Sequence, residues 1–496
     1  MTEACDLSAV EARRLIGTKK LSPVELLDSC LRRIGEVNHA VNAMVALDEE
    51  GARAAARQAE ADVMAGETLG LLHGLPLGIK DLDDAAGLKT TFGSPLFRDN
   101  VAASDSRMVA DLRASGGIVL GKTNTPEFGA GANTRNAVHG ATGNPFDPSR
   151  SAAGSSGGSG VALACSMVPL ASGSDTGGSL RNPAAFNGIV GFRPSPGLVP
   201  AERRLLGWSN LPVLGPMARD VGDLSLMMAA MAADHALDPL AYTLPDTDVR
   251  HGLAFNESID LSTLRVAATA DFGFAPTERH IREVFAERVA ALMSLFGGVE
   301  EKHPDCSGAD EAFAILRALS FLASHEEKVR RSPDMVGPNV RANVEEGLNY
   351  SASDVARASV LQTQIYRRWQ AFFEAGVDVV ISPAITLSPR PWSELYPAEI
   401  DGQPTKSYFH WLALAYAVTL PGHPAISLPL GVDRAGMPFG LQIVGPRGGD
   451  ALVIAVAGAI EAAVAGDATL ARPVPDLAKL RAAGPISGMP GFLSFD

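Results

Sequence analysis

The chain has 496 residues, of which 42 are basic and 56 acidic, for a formal net charge of −14. That balance argues against a nucleic-acid partner held by a broad basic face and against anionic membranes, and reads as the solubility charge of a cytoplasmic protein. Hydrophobic residues make up 46% and charged residues 20%, the composition of a soluble globular chain long enough for a large core, with no disordered or fibrous signature.

The opening MTEACDLSAV carries acids and no apolar core, so it does not read as a secretory signal. Ser8 is placed to cap a helix over 9–16. Ser22-Pro23-Val24-Glu25 combines a serine N-cap, a proline at N1 and a glutamate at N3. Leu26, Leu27, Cys30, Leu31 and Ile34 then recur at helical spacing, and 52–64 reads as a third helix, so 1–66 is expected to be a helical N-terminal segment. From Gly70 onward, short apolar runs bounded by glycine (75–79, 117–120, 167–171) alternate with helical stretches such as 105–114, which indicates strands of an α/β sheet. Further strands are expected at 264–267, 377–381, 425–428 and 439–444, and helices over 277–296, 310–329 and 351–375. The alanine-rich stretch 452–465 is too short to span a membrane and reads as a buried helix. With no internal repeat or linker, the expected fold is one large α/β/α domain over 1–496. It has a mixed twisted sheet covered by helices and a helical cap insertion over 305–376. Cys5, Cys30, Cys165 and Cys306 lie far apart with no CxxC pair, which suits a reducing compartment and neither a disulfide framework nor a zinc knuckle.

The chemistry concentrates in 151–197, where two serine-glycine clusters occur, Gly154-Ser155-Ser156-Gly157-Gly158 and Asp175-Thr176-Gly177-Gly178-Ser179. Glycines permit the close backbone approach by which successive N–H groups converge on one point, and a serine closing such a run lies beside the anion hole its own attack would fill. A hydroxyl still needs a base. No histidine sits in a motif: His325-Glu326-Glu327-Lys328-Val329 lacks the second histidine of a zinc site, and His423 reads as structural. Lys80, ending the apolar run Leu77-Gly78-Ile79, is the odd residue. It either snorkels, or pairs with Asp81 or Asp175, or is buried and loses its charge to become a base. Two motif matches are decoys. Gly116 to Thr123 satisfies GxxxxGK[ST], but Ile118, Val119 and Leu120 form a strand where phosphate would need a loop. Ser156 comes close to the GxSxG elbow of a histidine-triad esterase, but polar residues 147–151 precede it where a buried strand is required.

GIKD at 78–81, GKTNTPEF, GSSGGSG and GSDTGGSLRNPAAFNGIVGFRPS occur in the order of the amidase signature family, which the chain resembles over nearly its whole length, to LPGHPAISLPLG and GMPFGLQIVG. The resemblance implies an amidase with a Ser–cisSer–Lys triad and no metal or organic cofactor. Lys80 matches the family's lysine, Ser155 the bridging serine that follows an unusual cis peptide bond, and Ser179 the nucleophile. The backbone N–H groups of Thr176, Gly177, Gly178 and Ser179 match the oxyanion hole. Asp175 and Arg181 match residues bracing the nucleophile loop, with Ser156 as a further support. Ala153 departs from the family, which more often has glycine there. Phe128, Asn133, Trp208, Trp392 and Trp411 are expected in the pocket, with Phe409, and suggest a small to medium hydrophobic or aryl amide. A homodimer is left open. The rival within the family is the glutaminase subunit of a tRNA-dependent amidotransferase, which grips glutamine with a charged pair. Here the cap charges are Arg317, Glu326, Glu327, Arg330, Arg331 and Asp334, without that subunit's characteristic cap sequence.

Overall fold

Ser22 Oγ accepts the N–H of Val24 at 3.0 Å while Ser22 N–H donates to Glu25 Oε2 at 3.0 Å, closing the capping box that starts helix α2 (Pro23–Val41). In this computed structural model, which describes residues 3–242 and 258–493, α2 is preceded by α1 (Ala9–Gly17), capped by Ser8, and followed by α3 (Glu49–Ala65). The single-domain expectation also spans residues 1–2, 243–257 and 494–496, which lie outside the described residues. The N-terminal segment is not wholly helical: Asn42, with φ 52°, turns the chain out of α2 and Met44–Leu47 forms strand β1. Four residues are too few for periodicity to separate strand from helix.

The next elements are β2 (Pro76–Lys80), α4 (Arg107–Ala114), β3 (Ile118–Thr123), α5 (Gly157–Ala164), β4 (Leu170–Asp175), α6 (Arg181–Asn187), β5 (Val190–Arg193), β6 (Val213–Ala218), α7 (Val221–Met231) and β7 (Arg265–Ala268). Then follow α8 (Arg279–Leu292), β8 (Gly298–Glu301), α9 (Ala309–Arg331), α10 (Pro338–Asn349), α11 (Ala352–Glu374) and β9 (Val379–Pro383). A small ribbon of β10 (Glu399–Ile400) and β11 (Gln403–Pro404) leads to α12 (Ala413–Thr419), β12 (Ala425–Val432), β13 (Pro438–Val444), α13 (Asp450–Val464) and α14 (Leu477–Ala482).

Among the described residues eleven strands form one mixed sheet in the order β1-β3-β2-β4-β6-β5-β12-β13-β9-β7-β8. Every residue of β2, β3, β5, β9 and β13 is buried, as expected of strands covered on both faces. Helices α5 and α6 pack on each other and on the central strands, as do α7 and α13, so the chain folds as a single α/β domain. The expected strand at 167–171 starts later and runs further, through Asp175. Helices α10 and α11 both pack on α9 over 309–374. Among the described residues no helix is long and apolar enough to cross a membrane.

The register decides where chemistry can occur. Strand β2 runs parallel to β3, pairing Lys80 with Thr123, and parallel to β4, pairing Leu77 with Leu170. The C-terminal ends of β2 and β4 therefore lie side by side, which is where open α/β sheets form their crevices.

Candidate active site

Lys80 closes β2 and is fully buried. Its Nζ lies 2.7 Å from Ser155 Oγ, 2.8 Å from Ser156 Oγ and 2.9 Å from Ser174 Oγ, and its main-chain N–H donates to Ser172 Oγ at 3.0 Å. Burial dominates its acidity and takes its pKa from 10.5 to about 7, against the opposing pull of Asp83 and Asp175. An amine in that state is half neutral at neutral pH, so one of its three hydroxyl contacts can be an O–H···N bond in which the lysine accepts.

Ser155 and Ser156 are delivered by the turn before α5. The Gly154–Ser155 peptide bond is cis, and Ala153 before it has φ 56°, the left-handed region that glycine adopts more readily. Thr134 holds this turn, its N–H and Oγ1 both donating to the Ala153 carbonyl at 2.9 and 2.8 Å. The start of α5 sits so close to the loop after β3 that a Cβ on Gly158 would lie 2.2 Å from Asn124 N. A Cβ on Gly173 in β4 would lie 2.5 Å from Leu180 and 2.9 Å from Ser156 Oγ.

Beyond β4 the chain alternates: Asp175, Gly177 and Gly178 are buried, while Ser174, Thr176 and Ser179 are partly accessible. Asp175 anchors this turn from below. Arg181 meets it with two bonds, Nε to Oδ2 at 3.0 Å and Nη2 to Oδ1 at 2.9 Å, and spends its other donors on Ala415 O, Gln442 Oε1 and Thr419 Oγ1. Arg193, which closes β5, adds a bond to the Asp175 carbonyl at 2.7 Å and to Oδ1 at 3.3 Å. Burial alone would raise this carboxyl, but the two guanidinium groups, with the Gly178 N–H, hold it far below the usual range.

One expectation is corrected here. The Gly178 N–H donates to Asp175 Oδ1 at 2.9 Å, so it is turned into the anchor and away from the cavity. Of the four N–H groups expected to act together, those of Thr176, Gly177 and Ser179 are not turned into this anchor.

Above these groups lies a cavity of about 100 Å³. Ser155, Ser174, Thr176, Gly177 and Ser179 form its floor, Leu82, Phe128 and Leu412 its sides, and Arg317 and Phe321 of α9 its roof. A larger depression of about 950 Å³ sits at the ends of β7 and β8, between Asp271, Phe285 and Lys302, and contains none of these residues.

Of the expected pocket residues, only Phe128 borders this cavity. Trp208 is 81% exposed on an outer loop. Trp392 is buried against Ala141 and Ile486, with Nε1 donating to Pro148 O. Trp411 belongs to the core beneath α12, its Nε1 bound to Tyr408 O. Phe409 is likewise a core residue, packed edge-on to Phe313. Asn133 is turned to the loop carrying Trp392, donating to the carbonyls of Trp392 and Glu394. Trp392, Trp411 and Phe409 meet a demand for packing that sequence cannot distinguish from one for ligand binding.

Sequence reading missed Ser174 and Arg193, and it placed Arg317 only within the cap expected to wall the pocket (314–340), without singling it out. Signals existed for two of them. Arg193 stands in GFRPS between buried residues, and Arg317 interrupts the apolar helical run AFAILRALS much as Lys80 ends an apolar strand.

The decoys have structural roles. Lys122 lies within β3, fully buried, with Nζ bound to Thr90 Oγ1 at 3.0 Å and to the Asp83 carbonyl. Ser156 is buried on Lys80. His423 is buried between Trp369 and Phe373, where burial holds its pKa down to about 3. Among the described residues no group of three or more potential ligands could hold a metal ion.

The sequence profile of the Amidase family matches residues 25–454. The chain is 33% identical to an acylamidase of Rhodococcus erythropolis, over 92% of this chain and 95% of that one. It is 32% identical to a glutamyl-tRNA(Gln) amidotransferase subunit of Acidothermus cellulolyticus, over 93% and 95% of the two chains. Among solved structures, a bacterial aryl acylamidase of the amidase signature family superposes with a TM-score of 0.85 at 25% identity, covering 98% of this chain and 99% of that one. The peptide amidase of Stenotrophomonas maltophilia gives 0.80 at 25%, covering 95% and 99%. By sequence and by fold, the chain belongs to the amidase signature family and is a hydrolase of amide bonds.

Proposed function

We propose that the chain cleaves small to medium apolar or aryl amides through an acyl-enzyme on Ser179, with Ser155 and Lys80 as its proton relay. The observation that carries this reading is the buried amine of Lys80, with a pKa of about 7 and 2.7 Å from the Oγ of Ser155, which borders the same cavity as Ser179. Neutral Lys80 takes the proton of Ser155, Ser155 takes that of Ser179, and Ser179 Oγ bonds to the amide carbon. The carbonyl electrons move onto oxygen, where the N–H groups of Thr176, Gly177 and Ser179 stabilise them. As the C–N bond breaks, the relay returns the proton to the leaving nitrogen. Water, deprotonated by the same relay, then cleaves the ester. Asp175, Arg181 and Arg193 are positioning residues that fix the turn carrying the donors.

Helices α9 to α11, within 305–376, act as a cap over this chemistry, and Leu82, Phe128, Phe321 and Leu412 supply the apolar wall that favours such substrates. The glutaminase alternative is disfavoured by that lining, since among the described residues no carboxylate borders the cavity to meet a glutamine ammonium group. The reading needs no nucleic-acid or membrane partner, suits a cytoplasmic location and leaves a homodimer open.

Trapping tests it. A fluorophosphonate should add one adduct per chain, mapped by peptide mass to Ser179 and abolished in Ser179→Ala. An adduct on Ser155 or Ser156, or an unlabelled chain, would refute the assignment.

A further inference from the structure

The roof of the cavity carries a cation that acyl transfer does not use. Arg317, in the middle of α9, is 5% exposed and borders the same cavity as Ser179. Its Nε donates to Tyr408 Oη at 2.9 Å, and its Nη2 donates to the same oxygen. That oxygen is a hydroxyl and already accepts from Asn343 Nδ2 at 2.6 Å. Rings of Phe321, Tyr408, Phe409 and Phe313 surround the guanidinium, with centroids 4.7, 5.1, 5.5 and 6.0 Å from its central carbon. Among the described residues no carboxylate lies within ion-pair distance of it. His325, two turns further along the same helix, adds no second positive charge, because burial holds its pKa down to about 3 and leaves it neutral.

A guanidinium taken out of water needs a partner of opposite charge to offset its desolvation. At the floor of the same site Arg181 and Arg193 share the buried carboxylate of Asp175, whereas Arg219, as buried as Arg317 but remote from the cavity, is bonded to the carbonyls of Val168 and Leu7. Arg317 has no such partner, and it faces the space that substrate must enter. We propose that Arg317 is the specificity-determining residue for amides bearing a carboxylate, which enters the cavity as the missing counter-ion and pairs with the guanidinium fork. This rests on the amidase reading but goes beyond its apolar or aryl substrate: the preferred amide keeps a short apolar body along Leu82, Phe128 and Leu412 and adds a carboxylate that reaches Arg317. A zwitterionic substrate is a poorer fit, because the lining offers no anion for its ammonium group.

The carboxylate could belong to the acyl or the amine portion, and the test separates these. Succinamate and glutaramate carry it on the acyl side, N-acetylglycine on the amine side. Each is compared with a neutral amide of equal length ending in methyl, by calorimetric binding to the Ser179→Ala protein. At least one anionic amide should bind about 100-fold more tightly than its neutral partner, the scale of a water-excluded charged pair. Arg317→Met in that background should collapse the ratio toward one, and Arg317→Lys should restore part of it, since charge returns without the fork. Loss of packing alone would weaken both partners together and leave the ratio intact.

A ratio near one in the Arg317 protein, or a ratio that survives in a folded Arg317→Met variant, would overturn the proposal. If Arg317→Met does not fold, the ratios of the Arg317 and Arg317→Lys proteins decide. Failure of the unmodified chain to release ammonia or amine from any amide tells against the amidase reading, and the binding ratio still judges Arg317.

Discussion

Replacing Lys80 by methionine removes the amine while keeping the length of the side chain, and its effect can be worked from the site. With a folded pKa of about 7, against 10.5 when solvated, half of the folded molecules carry a neutral Lys80 at pH 7. That fraction falls to about one in ten at pH 6 and one in a hundred at pH 5. The native chain should therefore lose about tenfold in kcat/KM for each pH unit below 7, while Lys80→Met should lose about three orders of magnitude and the acid limb with them. The same shift makes a separate claim about stability. The folded pKa is depressed, so the contribution of this group is fully present above 10.5 and is lost as pH falls toward 7. The difference of 3.5 pKa units amounts to about 5 kcal/mol at 1.36 kcal/mol per unit. Denaturant unfolding of both proteins between pH 7 and 10 should show the native chain gaining on Lys80→Met as pH rises. The variant also leaves Ser155, Ser156 and Ser174 short of a partner, at about 1 kcal/mol or more each, which offsets its gain but does not vary with pH. Initial rates on an acyl anilide from pH 5 to 9 supply the kinetic half. A profile that stays flat to pH 5.5, or a stability difference independent of pH, would refute the buried-amine argument.

Four further outcomes follow from the geometry. Asp175→Asn takes the shared carboxylate from two buried arginines and should cost about 3–5 kcal/mol, read as a fall in the urea midpoint; a loss below 1 kcal/mol would mean the anchor is not holding the turn. Because that carboxyl is held so far down, its stabilising contribution should persist through mild acid and decline only as pH falls below 3.8, where the unfolded chain starts to bind the proton. Ser174→Ala removes one of the three hydroxyls at Lys80 Nζ and should lower kcat about tenfold, with KM changed little; an unchanged kcat would make Ser174 a bystander. Trp208→Ala, on the outer loop, should leave kcat/KM within about twofold, and a larger loss would place that loop over the cavity.

What sequence could anticipate here depended on whether local chemistry determined the outcome. The start of α2 was legible because serine, proline and glutamate each fill a backbone demand within four residues. Strands β2, β12 and β13 were legible because apolar runs between glycine and proline have few other uses. Strand β1 was not, because four residues acquire strand character only by pairing with β3, whose residues lie more than seventy positions away. At the site, Lys80, Ser155 and Ser179 stood out through motif order. The orientation of the Gly178 N–H depends on how Asp175 is held between Arg181 and Arg193, a three-dimensional arrangement that residue order alone does not specify. The tryptophans misled for a related reason: Trp392 and Trp411 are equally aromatic in a core and in a pocket, and only tertiary packing separates the two.

The close approach at Gly158 and Gly173 also bears on how such an enzyme can diversify. At either position one added methyl would collide with backbone or with the residues that hold Lys80, so the relay tolerates almost no exploratory substitution. The roof is built differently, from long side chains on α9 that end in the cavity and carry no proton of the reaction. A lineage can therefore alter Arg317 or Phe321 and acquire a new substrate in a few steps, while inheriting the nucleophile and its base unchanged.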